Sequence, residues 1–179
     1  MIEPDRADTS TWIPSVFHAE VLVACRLEHS WEVMLDYQAW NPDFAHAQVE
    51  LLSGRPRTEG ELVLIKLHDK NGTRLSEFYA ETVKVVSQRR FVWYVYPEEG
   101  DAFRNFVDFG LAETPSGVKF SIDYYAQTPL PHESLSTYRQ ESEAAFRKLA
   151  AAFKEYCEAH AQPRRASDYA PRKPSDGDR

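Results

Sequence analysis

Few residues of this chain have the type and spacing that catalysis requires, and the clearest are two carboxylates in the stretch 74–86. This stretch alternates like a β-strand, in which successive side chains point to opposite faces. If the odd positions face inward, Glu77, Tyr79 and Glu81 enter an apolar cavity, where desolvation raises the pKa of a carboxyl group and suits it to acid–base chemistry. If the even positions face inward, Phe78 is inside and both carboxylates are solvated, and a β-bulge would switch the frame midway. The pattern leaves both frames open.

The sequence predicts no metal ion, cofactor or covalent nucleophile. Its histidines offer no close pair along the chain, at positions 18, 29, 46, 68, 132 and 160. Neither Cys25 nor Cys157 has an evident histidine partner, and there is no Gly-x-Ser-x-Gly elbow of the kind that exposes a nucleophilic serine. The glycines are scattered, so no glycine-rich loop can cradle a phosphate. Two cysteines are too few for a secreted disulfide framework and are expected to be reduced thiols.

The other candidate chemistry is recognition of a small molecule, because apolar walls with a few placed polar groups are typical of such sites. Strand alternation points Asn105 and Tyr124 inward, and helical spacing places Tyr138 on the inward stripe of a helix. A buried amide without partners costs about 1–3 kcal/mol, so Asn105 is expected to meet water or a ligand. Both tyrosines are also consistent with core aromatics whose hydroxyls reach the rim. The predicted pocket-lining residues are Trp93, Asn105, Phe109, Phe120, Tyr124, Tyr138 and Ser142.

A long helix near the C-terminus is needed to position these side chains. The apolar residues of 132–160 recur at steps of three and four, so they form one stripe along a helix of roughly 40 Å. We expect this helix to hold the fold together through Leu149, Phe153 and Tyr156. Near its start, Tyr138 and Ser142 would border the pocket.

Earlier in the chain, an alternation of period two predicts seven strands, with turns such as the Asn71-Gly72 hairpin signal between them. A helical stretch over 29–40, interrupted by Asn41-Pro42, separates the first strand from the other six. Strands joined by short turns are antiparallel neighbours. The sequence therefore predicts an α+β fold in which a curved antiparallel sheet wraps around the C-terminal helix. The predicted strands cover 16–25, 47–51, 61–68, 74–86, 91–96, 103–111 and 118–124.

Length and composition indicate one domain over residues 16–160, with a flexible leader at 1–15 and a disordered tail at 161–179. The net charge is −7 and the tail is locally basic, so neither a nucleic acid nor an anionic membrane is the expected partner of the acidic remainder. No apolar run approaches the roughly 18 residues of a membrane span. A basic start followed by an apolar run is also missing. We therefore expect a cytoplasmic protein.

Three features relate the chain to a known superfamily. They are Trp31 in the first helix, the run 36–42 (DYQAWNP) and the stretch 82–93 (TVKVVSQRRFVW). With the order of elements, they make residues 16–160 resemble the SRPBCC or START-like superfamily, which includes lipid-transfer START domains, birch-pollen-allergen proteins and polyketide cyclase/dehydrase-like proteins. The resemblance implies the helix-grip fold, with one or two short helices after the first strand and an apolar pocket between sheet and helix. It does not imply one chemistry, because this fold hosts carriers, sensors and enzymes alike.

Three functions follow, in order of preference. The first is binding of a hydrophobic or aromatic small molecule, such as a lipid, an isoprenoid or a polyketide-like compound. The second is an enzyme of the cyclase or dehydratase kind that moves protons with Glu77, Tyr79 or Tyr124. The third is a protein-interaction module whose basic tail, including Arg164 and Arg165, contacts an acidic partner.

Overall fold

A computed structural model describes residues 17–97, 104–127 and 135–161 of the 179-residue chain. Seven strands and a long C-terminal helix lie within these ranges, so the predicted α+β fold is confirmed. The predicted leader and, beyond Ala161, the predicted tail lie outside the described residues. The strands are β1 Phe17–Val23, β2 Gln48–Ser53, β3 Leu62–His68, β4 Arg74–Val86, β5 Arg90–Pro97, β6 Arg104–Thr114 and β7 Gly117–Gln127. The helices are α1 Leu27–Leu35, α2 Tyr37–Trp40 and α3 Leu135–His160, with a 3-10 helix at Pro42–Phe44.

The seven strands form one antiparallel sheet in the order β1-β7-β6-β5-β4-β3-β2. Strands β2 to β7 are neighbours in chain order, which is the meander that short turns produce. β1 pairs with β7, with Phe17 opposite Tyr124 and Val23 opposite Val118. The pairing of the first strand with the last brings the start of α1 close to the end of α3.

The inner face of the sheet buries large apolar side chains. The strand registers place Trp93 opposite both Thr82 and Val107, and Phe109 opposite Ile122. All five side chains are more than nine-tenths buried. Their positions follow the alternation seen in the sequence, because residues two apart on a strand share a face.

In the first part of strand β4 the even-numbered residues point inward, and after a bulge the odd-numbered residues do. The sequence left both arrangements open. Ala80 and Thr82 are fully buried and Phe78 packs against the core, so even positions face inward over the first part of the strand. The register shifts between Thr82 and Lys84, which is the signature of a β-bulge. Beyond the bulge, Val85 is the residue that packs against the core.

Glu77, Tyr79 and Glu81 consequently lie on the outer face, and the frame that would place them in the cavity is wrong. They alternate with the inward-facing residues before the bulge. Glu77 Oε2 lies 3.3 Å from Arg74 Nη1 and 4.0 Å from Lys66 Nζ, both of which belong to the outer face. These three residues therefore do not supply acid–base chemistry inside the fold.

The helical stretch predicted over 29–40 is two helices that meet at Asp36. The backbone of Asp36 has φ −97° and ψ 57°, which is not a helical conformation. The break turns α2 so that Trp40 enters the core, edge-on to the rings of Phe120 and Phe153 at 5.9 and 5.1 Å. The α2 segment thus supplies part of the cover over the inner face.

Helix α3 covers the sheet at β1 and β7. The ring of Phe153 is fully buried and stacks on Phe120 with a centroid separation of 3.9 Å. Nearer the start of the helix, the ring of Phe146 lies 4.4 Å from the ring of Phe17. Leu149 and Tyr156 are only partly buried, so Phe153 is the most important of the three side chains that the sequence singles out.

Two polar contacts fix the last turns of α3 against the end of β1. Lys154 Nζ donates a hydrogen bond to the carbonyl oxygen of Leu22 at 2.8 Å. The backbone N–H of Ala24 donates to Glu158 Oε1, also at 2.8 Å. These contacts determine which residues of α3 lie beside the segment that links β1 to α1.

Two carboxylates face each other on the outer face, where Asp108 of β6 lies opposite Asp123 of β7. Directly opposed like charges are destabilising, and each carboxylate has a basic partner. Arg90 Nε donates to both oxygens of Asp108 at 2.9 Å, and His18 Nδ1 lies 2.7 Å from Asp123 Oδ1. The hydrogen bond to Asp123 raises the pKa of His18 above its ordinary value of 6.5.

We expect His18→Gln to remove a small, pH-dependent part of the stability. Because the folded-state pKa of His18 is raised, its contribution is fully present below about pH 6.5 and is lost as the pH rises through the folded-state pKa. The histidine is half exposed, so the difference in free energy of unfolding between wild type and variant should be about 0.2–1 kcal/mol at pH of about 5.5. It should approach zero at pH of about 8.5. Urea unfolding at both pH values measures it, and a difference that grows with pH would contradict the assignment.

Candidate ligand-binding site

Trp93 lies in the middle of an aromatic cluster on the inner face. Its ring is edge-on to Tyr37 at 4.5 Å and to Phe109 at 6.0 Å. It lies 5.5 Å from the ring of Phe91 and is nearly parallel to Phe44 at 6.3 Å. Edge-to-face and offset contacts of this kind are favourable beyond simple burial. The sheet, α2 and the 3-10 helix together form this wall.

Three buried polar atoms in this apolar surface have no hydrogen-bond partner among the described residues: Trp40 Nε1, Trp93 Nε1 and Asn105 Oδ1. The last two lie close together on the sheet. Asn105 lies opposite Val95, two residues from Trp93, so Trp93 and Asn105 are diagonal neighbours on one face, with Cα atoms about 7–8 Å apart and side chains within reach of each other. An indole N–H can only donate and an amide oxygen can only accept. A bound group that both accepts and donates would satisfy the pair.

The predicted pocket residues that have described side chains are distributed along the interior. Phe109 and Phe120 are buried and nearly parallel, with centroids 6.2 Å apart. Tyr124 is 8% exposed on the same face, and Ser142 is half-buried on α3. The side chain of Tyr138 lies outside the part of the chain that the structure describes. That any of these residues contacts a ligand stays a prediction.

Tyr37 is a wall residue that the sequence interpretation missed. Burial raises the pKa of Tyr37 to about 12, with a further contribution from the charge of Glu61. Its hydroxyl is therefore protonated at neutral pH and can donate a hydrogen bond but cannot act as a base. The carboxylate of Glu61 accepts a hydrogen bond from Thr82 Oγ1 at 3.1 Å. The only sequence signal for Tyr37 was its place in the run 36–42.

A second group of reactive side chains lies where β1, α1 and α3 meet. Cys25, His29 and Cys157 each offer a ligand atom, and these atoms lie within 4.8 Å of one another. His29 Nε2 donates a hydrogen bond to the carbonyl oxygen of Cys157 at 3.1 Å. The prediction that neither cysteine has a histidine partner is therefore wrong. Its one sequence signal was the four-residue spacing between Cys25 and His29, because Cys157 is distant in the chain.

Both cysteines of this group are buried thiols. Burial raises the pKa of Cys157 to about 12, so this thiol is protonated at neutral pH and is a poor nucleophile. A surface pocket of about 270 Å³ borders the group and is lined by Ala24, Cys25, Arg26, Glu28, His29, Glu32 and Ala161. The arrangement is suited to binding a ligand and not to attacking a substrate.

No protein-family model matches the chain, and no curated protein matches it in sequence. Solved structures do match it. The AHSA1-like protein from Aeromonas hydrophila superimposes with a TM-score of 0.59 at 18% identity, covering 83% of this chain and 99% of that one. Ara h 8.0201 has a TM-score of 0.59 at 13% identity, covering 80% and 97%. The di-domain ARO/CYC StfQ from the steffimycin biosynthetic pathway has a TM-score of 0.61 at 10% identity, covering 81% of this chain and 50% of that one.

The likeness to these structures concerns the fold. It confirms the helix-grip fold that the sequence resemblance implied. The chain spans half the length of StfQ. In the described part of the chain, no helix is long and apolar enough to cross a membrane.

Proposed function

We propose that this protein binds a hydrophobic or aromatic small molecule between the inner face of the sheet and α3. The observation that carries the proposal is the pair of buried polar atoms, Trp93 Nε1 and Asn105 Oδ1, left unpartnered among the described residues within an aromatic wall. Each such atom costs about 1–3 kcal/mol if it remains unsatisfied. A ligand that satisfies both recovers this free energy on binding, so the pair favours occupancy.

The ligand class follows from the chemistry of the wall. Aromatic rings on several strands favour a flat or extended apolar body. The donor Trp93 Nε1 and the acceptor Asn105 Oδ1 favour a ligand with a hydroxyl or an enolised ketone on one edge. Polyketide-like compounds carry such groups. StfQ, which shares the fold, comes from the steffimycin biosynthetic pathway, which is consistent with a biosynthetic small molecule.

Binding is favoured over proton-transfer catalysis. The carboxylates that the enzymatic hypothesis needed, Glu77 and Glu81, lie on the outer face. Tyr37 beside the aromatic wall stays protonated, since burial raises its pKa to about 12. The interaction hypothesis concerned the basic tail, which lies outside the described residues.

A pair of model ligands tests the proposal directly. Native mass spectrometry of the purified protein and fluorescence titration with 2-naphthol and with 2-methylnaphthalene should both detect uptake. We expect 2-naphthol to bind more tightly, because its hydroxyl can accept from Trp93 Nε1 and donate to Asn105 Oδ1. Failure of the protein to take up either compound would contradict the proposal.

Asn105→Leu separates ligand recognition from folding. We expect the preference for 2-naphthol to fall by about tenfold, the equivalent of one hydrogen bond of about 1.4 kcal/mol. The free energy of unfolding should be unchanged or slightly higher, because an unpartnered buried amide is removed. Asn71→Leu, in the exposed hairpin, is the matched control and should leave ligand preference unchanged. A preference that survives Asn105→Leu would place the ligand elsewhere.

A further inference from the structure

We propose that Cys25, His29 and Cys157 form a binding site for a thiophilic metal ion, with Zn²⁺ as the cation that the ligand set fits best. Two thiolates and one imidazole are a ligand set that Zn²⁺ prefers. The site lies at the junction of β1, α1 and α3, and the inference does not depend on the proposed function of the inner face.

The spacing of the three ligand atoms is close to what a tetrahedral ion needs. Zinc–sulfur and zinc–nitrogen bonds of about 2.3 and 2.0 Å place neighbouring ligand atoms about 3.3–3.8 Å apart. The atoms of this group already lie within 4.8 Å of one another. Side-chain adjustments of about 1 Å would therefore complete the three-ligand arrangement.

The fold holds the three ligands in place from separate elements. Cys25 lies between β1 and α1, and His29 follows one turn later on α1. Cys157 is on the last turns of α3, which are held to the end of β1 by the Lys154–Leu22 and Ala24–Glu158 hydrogen bonds. Convergence of ligands from separate elements onto one point is the arrangement expected of a metal site that ties a fold together.

The surroundings of the ligands also fit. His29 Nε2 donates to the Cys157 carbonyl oxygen, and a backbone carbonyl is a common partner for the second nitrogen of a metal-binding histidine. In the proposed site, Nδ1 would then be the ligand atom. Ser30 is wholly buried beside the Cys157 side chain. Its hydroxyl is placed to donate a hydrogen bond to the Cys157 sulfur.

The adjacent pocket gives access to the site and leaves room for a fourth ligand. It opens onto both Cys25 and His29, and the carboxylates of Glu28 and Glu32 line it. A zinc site with three protein ligands and one open position takes water or a carboxylate as the fourth ligand. Binding replaces the two thiol protons, which pass to solvent, and involves no change in oxidation state.

Cobalt provides a spectroscopic test. The reduced, metal-free full-length protein is titrated with Co²⁺, whose thiolate complexes show a near-ultraviolet charge-transfer band, and Zn²⁺ is then added to displace it. We expect the band to saturate at one Co²⁺ per chain and to disappear on addition of one equivalent of Zn²⁺. Absence of a thiolate-to-cobalt band in the reduced protein would overturn the assignment.

Two variants test the ligands, and a third serves as the control. Cys157→Ala and His29→Gln should each weaken Zn²⁺ binding at least about tenfold, the loss that changes around metal ligands already produce. His46→Gln, at an exposed histidine outside the group, should bind like wild type. His29 is only half-buried, so its variant decides the question if Cys157→Ala fails to fold. Equal binding by His29→Gln and wild type, in proteins with matched metal-free melting temperatures, would refute the site.

Discussion

Phe153→Ala should lower the free energy of unfolding by about 3–5 kcal/mol, among the largest effects of any single substitution in this chain. Phe153 is fully buried, stacks on Phe120 at 3.9 Å and is edge-on to Trp40 at 5.1 Å. Truncation would leave a cavity between α3 and the sheet that the neighbouring rings cannot fill without moving, because interiors are close-packed. Urea unfolding monitored by circular dichroism measures the loss.

Leu149→Ala is the matched control on the same helix. Leu149 is only partly buried, so its truncation should cost less than about 2 kcal/mol, below the range for fully buried leucines. The helical pattern in the sequence favours both residues equally, and only the packing separates them. Equal losses of unfolding free energy in the two variants would mean that more side chains of α3 contribute to its packing on the sheet than the structure shows.

The order and type of the elements were readable from the sequence because they depend on local periodicity. The stretch 74–86 alternates and is β4, and the Asn71-Gly72 turn joins it to β3. Strands joined by short turns pair with their neighbours in the chain, so the meander of β2 to β7 follows without long-range information. The pairing of β1 with β7 joins strands that are far apart in the chain, so no local pattern specified it and the sequence did not predict it.

The sequence did not determine which side chains of β4 point into the interior. Because Glu77 and Glu81 are on this strand, the enzymatic hypothesis stayed open as well. Either frame buries large side chains, since Tyr79 on one face competes with Phe78 on the other. The bulge between Thr82 and Lys84 is set by the pairing with β5, which is a property of two strands and not of one. The alternation of side chains along β4 alone therefore could not show that Glu77 lies outside the interior.

The cluster of Cys25, His29 and Cys157 also depends on contacts between elements that are distant in the chain, which the sequence pattern does not show. The spacing of the first two residues is visible in the sequence, but Cys25 precedes α1, which begins at Leu27, so no helical period marks the two as neighbours. The third ligand depends on where α3 ends against β1, which the Lys154 and Glu158 contacts determine. Metal sites whose ligands come from distant elements leave only a fragment of their pattern in the sequence.

Gly117→Ala should lower the free energy of unfolding by about 3 kcal/mol or more, through two additive effects. Gly117 has φ +147°, a conformation that costs a residue with a Cβ about 1–3 kcal/mol. A Cβ at this position would also lie 2.2 Å from the carbonyl oxygen of Val23. That oxygen belongs to the backbone of β1 and cannot rotate away, so β1 or β7 would have to shift.

Gly72→Ala separates the two effects. Gly72 also has a positive φ, of +82°, but a Cβ there would meet nothing within 4 Å. Its substitution should therefore carry only the conformational cost, about 1–2 kcal/mol. Urea unfolding of both variants measures the difference, and equal losses would show that the approach to Val23 is not what requires glycine at position 117.

The close approach at Gly117 also bears on the proposed ligand site. Gly117 begins β7, and the next residue, Val118, pairs with Val23. A slip of one residue in this pairing would turn every side chain of β7 to the opposite face, which would remove Phe120 and Tyr124 from the interior. We therefore expect Gly117→Ala to weaken 2-naphthol binding as well as folding, whereas Gly72→Ala should leave binding intact. Retained binding in a destabilised Gly117→Ala protein would show that β7 keeps its register without the glycine.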